Sequence, residues 1–134
     1  MSVLVTDRGF SAPAPVAAVP LADVSSHTGT LDLANTDDPA ALQPYLDTIN
    51  LIRVAFPAFS DGRGFTLARR LRMMGYTGEL RALGPVISDQ YAMARRVGFD
   101  SVEIPDDLAR RQPQEQWLAR ADWQAHDYLA RLKA

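Results

Sequence analysis

The chain contains no cysteine. That excludes disulfides, a thiol nucleophile, any iron–sulfur cluster held by thiolates and a cysteine-bound siroheme. It also fits a reducing, cytoplasmic setting. Lysine is nearly missing as well: Lys133 is the only one, so the positive charge is almost wholly arginine. Histidine occurs only as His27 and His126, far apart and in segments of different kinds. Two isolated histidines supply neither a ligand set for a protein-built metal site nor a Ser–His–Asp constellation. No apolar run approaches the roughly 20 residues of a membrane span. The N-terminus lacks the basic start and apolar core of a secretion signal. A net charge of −2 gives no global attraction to nucleic acid or to a membrane surface.

What is present is an ordinary globular composition, 47% hydrophobic and 22% charged over 134 residues, which is one domain's worth. Residues 11–20 are too rich in proline and alanine for a regular element and read as an extended arm. Beyond them short strands and helices alternate. Strands are expected at 30–34, 50–56, 79–83 and 101–104, with a further short one at 3–5. Asp38-Pro39 reads as an N-cap followed by proline at the first helical position, opening a helix to Leu46. Leu67, Leu71 and Met74 recur at helical spacing over 65–74 before Gly75, and Ser88 opens a helix over 89–97 that Gly98 ends. At the C-terminal end Trp117, Ala121, Ala125, Tyr128 and Leu132 share one face, which predicts a long amphipathic helix over about 114–132.

The segment Ala68-Arg-Arg-Leu…Met-Gly-Tyr76 is echoed by Ala94-Arg-Arg-Val-Gly-Phe99. Each copy places arginines in a last helical turn, then a glycine, then an aromatic. Strand–helix alternation with short connectors predicts an α/β fold with parallel strands. Ile52, Val54 and Phe56 fall on one strand face with Leu80, Ala82, Val102 and Ile104. Asp32, Arg53, Glu79, Arg81 and Glu103 fall on the other. A doubly wound sheet, covered on both faces, wants near-continuous apolar strands. The pattern instead predicts about four βα units whose helices cover one face, like half of a (βα)8 barrel. An exposed inner face would then be covered by the N-terminal arm or closed by a homodimer.

Binding groups in such folds gather beyond the carboxyl ends of the strands. The most specific loop is Phe56-Pro-Ala-Phe-Ser-Asp-Gly-Arg-Gly-Phe65. Gly62 and Gly64 flank Arg63 just before a helix, and Asp61 stands in front of them. Backbone N–H groups and an arginine fork at a helix start suit a small oxyanion. The same residues also serve as an ordinary cap and turn. Asp89 and Gln90 open the next helix from the loop 84–90 and could meet Arg63 over the sheet edge, with Arg81 on the sheet below. The segment is neither a Walker motif nor Gly-x-Gly-x-x-Gly. Arg69, Arg70 and Arg72, like Arg95 and Arg96, read as solvated helix ends that could also dock an acidic protein. Residues 60–100 hold seven arginines against four acids, a local charge of +3 in an acidic chain.

Four blocks carry a family likeness: the 56–72 run, Gly78-Glu-Leu-Arg-Ala-Leu-Gly84, Asp89-Gln90 and Arg96-Val-Gly-Phe-Asp100. Together they resemble the bacterial family catalogued as domain of unknown function 934, in consistent order over about 29–104. The resemblance implies a place in assimilatory sulfite reduction and an oxidoreductase connection, with sulfite reductase as a partner. Sulfite reduction ordinarily uses siroheme with an iron–sulfur cluster, which a chain without cysteine cannot ligate through thiolates. The role implied is therefore an accessory or component other than the siroheme-bearing subunit. No intrinsic cofactor is evident, and a diffusible flavin or nicotinamide stays open. The alternative is a non-catalytic protein docking an acidic partner through its arginine-rich helix ends.

Overall fold

In a computed structural model, which describes residues 2–123, seven strands form one sheet. They are β1 (Ser2–Thr6), β2 (Gly9–Ser11), β3 (Ala18–Pro20), β4 (Thr30–Leu33), β5 (Leu51–Ala55), β6 (Glu79–Leu83) and β7 (Ser101–Pro105). Their order across the sheet is β2-β1-β7-β6-β5-β4-β3. From β3 to β7 every neighbouring pair is parallel and follows chain order, as in a stretch of barrel wall. The β1–β2 hairpin adds antiparallel to β7. Among the described residues the α-helices are α1 (Arg63–Met73), α2 (Tyr91–Val97), α3 (Asp106–Arg111) and α4 (Gln114–Leu118). Pro39–Tyr45, expected as a helix, is a 3-10 helix that contains Pro44, with Asp38 accepting from the Ala40 N–H as its cap.

The outer face is apolar and holds the core. Ile52, Val54, Leu80, Ala82, Val102 and Ile104 are buried together with Leu67, Ala68 and Leu71 of α1 and Tyr91 and Ala94 of α2. Both copies of the internal repeat close alike. The Tyr76 N–H reaches back to Leu71 O and the Phe99 N–H to Ala94 O, each at 3.0 Å. Gly75 and Gly98 stand at φ +102° and +120° between them, angles that other residues rarely adopt. Arg72 and Arg95 are not solvated, contrary to expectation. Arg72 donates to Gly98 O, Tyr76 O and Gly78 O and pairs with Asp100, because the free carbonyls of two chain reversals converge on it. Arg95 pairs with Asp7 of the β1–β2 turn and donates to Phe99 O.

The inner face carries the charged residues expected there, joined into one network. Arg53 grips Asp32 with Nε at 2.7 Å and Nη2 at 2.8 Å. Arg81 lies between Glu103 (3.0 Å) and Glu79 (2.9 Å) and donates to Ser101 Oγ. Ser2 donates to Glu103, and Arg53 approaches the same carboxylate at 3.8 Å. Arg81 and Glu103 are buried, and the described residues contain no buried polar side-chain atom without a partner. Burying charge is costly unless each charge is paired, and here each is.

Two expectations are corrected. The N-terminal segment is not an arm throughout: its ends are strands, and only residues 12–17, which run from one edge of the sheet to the other, lack regular structure. It lengthens the sheet at both ends, with β1 and β2 beside β7 and β3 beside β4. Proline did not prevent β3, because an edge strand tolerates it. At the other edge the Phe10 N–H is capped by Gln114 Oε1 at 2.7 Å. The long C-terminal helix is also broken. α4 ends at Leu118, and residues 119–123 are not α-helical. Trp117 is nevertheless buried, edge-on to Tyr91, with its indole N–H on Gln112 O. Ala125, Tyr128 and Leu132 of the same stripe lie outside the described residues.

Candidate functional site

The carboxyl ends of β4, β5 and β6 open on one side of the sheet, where the loops 57–64 and 84–90 stand. The first turn of α1 sits close to the sheet because residue 64 is glycine: a methyl group there would overlap the edge of the Phe56 ring. Phe56 in turn packs edge-on against Phe65 and Phe99, so the loop is anchored on the core at its base. Its tip is not. Phe59 leaves 53% of its surface exposed.

Asp61 and Arg63 face each other. Arg63 Nε donates to Asp61 Oδ1 at 3.0 Å and Nη2 to Oδ2 at 2.6 Å, and the Arg63 N–H also reaches Oδ1. Asn35, just beyond β4, adds a donor to Asp61 Oδ2 at 2.7 Å. The Arg63 hydrogen bonds, side chain and backbone, hold the Asp61 carboxyl well below the usual carboxylate range. Gly62 is the N-cap residue of α1 and has no side chain to cap with, so the Asp61 carboxylate fills the position an incoming oxyanion would take.

Asp89 and Gln90 do not meet Arg63. Asp89, in the short 3-10 turn Ser88–Gln90, pairs with Arg120 at 2.5 Å. Gln90 folds between the two loops, accepting from the Ile87 N–H at 3.1 Å and donating to Phe59 O at 2.6 Å. Arg81 is not at the mouth either. It sits mid-strand in the inner-face network, where its partners are Glu79, Glu103 and Ser101. The expected cluster thus resolves into three separate groups: Asp61, Gly62, Arg63 and Gly64 with Asn35; Asp89 with Arg120; and Arg81 within the sheet. Asn35 and Phe59 were not singled out in the sequence. Position was the available signal, since Asn35 stands two residues past the end of β4 and Phe59 is an aromatic amid turn residues.

A family model described as "bacterial protein of unknown function (DUF934)" matches residues 30–130. The chain belongs to this family. The match begins at β4 and runs past 104 through α3 and α4, so it covers more than the blocks between 29 and 104. The strands β1, β2 and β3 precede it. No curated protein and no solved structure matches the chain. No helix among the described residues is long and apolar enough to cross a membrane.

Proposed function

We propose that the chain is an accessory protein or oxidoreductase component of assimilatory sulfite reduction, meeting the reductase through the edge formed by residues 57–64 and 84–90. One observation carries the partner-binding part: the Gln90 bridge to Phe59 O makes the two loops a single edge. That edge presents an aromatic ring, 53% exposed, and the Arg63 side chain, 61% exposed. Aromatic residues and arginine are the usual anchors of protein interfaces. A free oxyanion is less well served. Sulfite or sulfate would have to displace the tethered Asp61 carboxylate, whereas a protein surface can engage Phe59 and the outer part of Arg63 without doing so. The lack of cysteine supports an accessory role over a siroheme-bearing one.

The alternative, docking through arginine-rich helix ends, loses support from Arg72 and Arg95, which are spent on internal contacts. Arg69 and Arg70 keep exposed positions. Deleting the gene in its host separates the readings. The deletion strain is expected to grow on sulfide and to fail on sulfate and sulfite. Complementation by the Phe59→Ala, Arg63→Ala double variant should leave that defect, and complementation by Arg69→Glu, Arg70→Glu should repair it. Normal growth of the deletion strain on all three sulfur sources contradicts the proposal.

A further inference from the structure

A second opening lies on the inner face beside the 57–64 edge, sharing Asp37 with the depression that Arg63 lines. It is a cleft of about 430 Å³ at the carboxyl ends of β3, β4, β5 and β6. Its volume is in the range of small-molecule sites, and its place is the one where parallel α/β folds bind ligands. Small side chains make the room. Ala22, Ala34 and Ala55 stand at or just past the ends of three of the strands, and Leu83 closes the wall. Few polar groups converge on it: Arg53 and Asp32 at the floor, and Asp37 at the rim.

Charge decides what those groups can receive. Arg53 is committed to Asp32 through two hydrogen bonds, with Glu103 behind it. Across the whole inner face Asp32, Asp37, Glu79 and Glu103 stand against Arg53 and Arg81, which leaves −2. Half of that surplus lies at the cleft, where Asp32 and Asp37 stand against Arg53 alone. Asp32 is 37% exposed at its side chain, while Arg53 beneath it is 17% exposed. In the sheet Asp32 is flanked by Arg53 on β5, but its neighbour on β3 is Pro20, which brings no charge. Asp37 holds the Ala34 N–H with Oδ2 at 2.8 Å, fixing its carboxylate at the rim. A cation lodged beside Pro20 would stand where a third base of the network would stand.

We infer that this cleft binds a small organic cation, an ammonium or guanidinium head on a short aliphatic body, with the head toward Asp32 and Asp37 and the body on the alanine wall. An oxyanion is disfavoured by the same charge balance. This inference is independent of the sulfite-reduction reading.

Agmatine, which carries a guanidinium and an amine on a four-carbon chain, is the probe, with sulfate as the anionic control. Both are titrated into the full chain while backbone amide shifts are followed by NMR. Agmatine is expected to shift the amides of Ala22, Ala34 and Ala55 saturably, and sulfate to leave them in place. Ala22→Leu narrows the cleft from an exposed position. Asp37→Asn removes a charge while its side-chain oxygen still caps Ala34. Each should weaken agmatine at least about tenfold with unfolding midpoints near the parent's, the Asp37→Asn arm standing alone if Ala22→Leu disturbs the fold. No saturable shift up to millimolar agmatine overturns the inference. So does equal binding by Asp37→Asn, or sulfate moving the same amides.

Discussion

At the residue scale, Asp61 and Gly64 define the loop 57–64 more than the arginine between them does. Gly64 is needed for space and not for an unusual angle, since the Phe56 ring occupies the place of a side chain. Gly64→Ala is expected to lower stability by about 1–3 kcal/mol, read from urea denaturation, because the ring and helix must part. Asp61 has its folded pKa pushed below the unfolded value by Arg63, so its contribution is complete at neutral pH and is lost as pH falls below about 4. Asp7 behaves with the same sign. Burial raises its pKa, but the hydrogen bonds from Tyr91 and Arg95 outweigh that and hold it low. The unfolding midpoint should therefore drop as pH falls through the acid range, and less steeply in an Asp7→Asn, Asp61→Asn variant. An unchanged pH profile would contradict both assignments.

At the scale of elements, the strands that bear chemistry were legible and the ends of the chain were not. Alternation placed Arg53, Arg81 and Glu103 on the face away from Ile52, Leu80 and Ile104, and the sheet is built that way. Strand pairing was hidden for Gly9–Ser11 and Ala18–Pro20, because three-residue edge strands are too short for periodicity to register. The stripe beginning at Trp117 suggested one long helix over about 114–132; the helix does start at Gln114, but the chain turns after Leu118. Arginines at helix ends looked solvated because sequence shows the helix they belong to and not the carbonyls that another loop brings to them. Arg72 and Gly98 are 26 residues apart. The buried inner-face network should also be costly to break. Glu103→Ala leaves Arg81 and Arg53 short of a carboxylate and should cost about 3–5 kcal/mol, against less than about 0.5 for Arg111→Ala on the surface.

At the scale of the molecule, a one-sided sheet separates two tasks. The outer face and its helices carry the hydrophobic core, and the inner face and strand ends are left to polar groups. The candidate site was legible in outline, since the 57–64 loop does stand at the mouth. Its membership was not: Asp89 and Arg81 belong to other contacts, and the contacts of Phe59 and Asn35 come from residues distant in the chain. The central claim is that the joined loops form the edge that meets sulfite reductase, and direct binding of the purified chain to the purified reductase tests it most closely. Saturable binding is predicted, weakened at least about tenfold by Phe59→Ala and by Arg63→Ala without loss of folded stability, the size expected of interface anchors. No saturable binding, or binding that neither substitution alters, would contradict it.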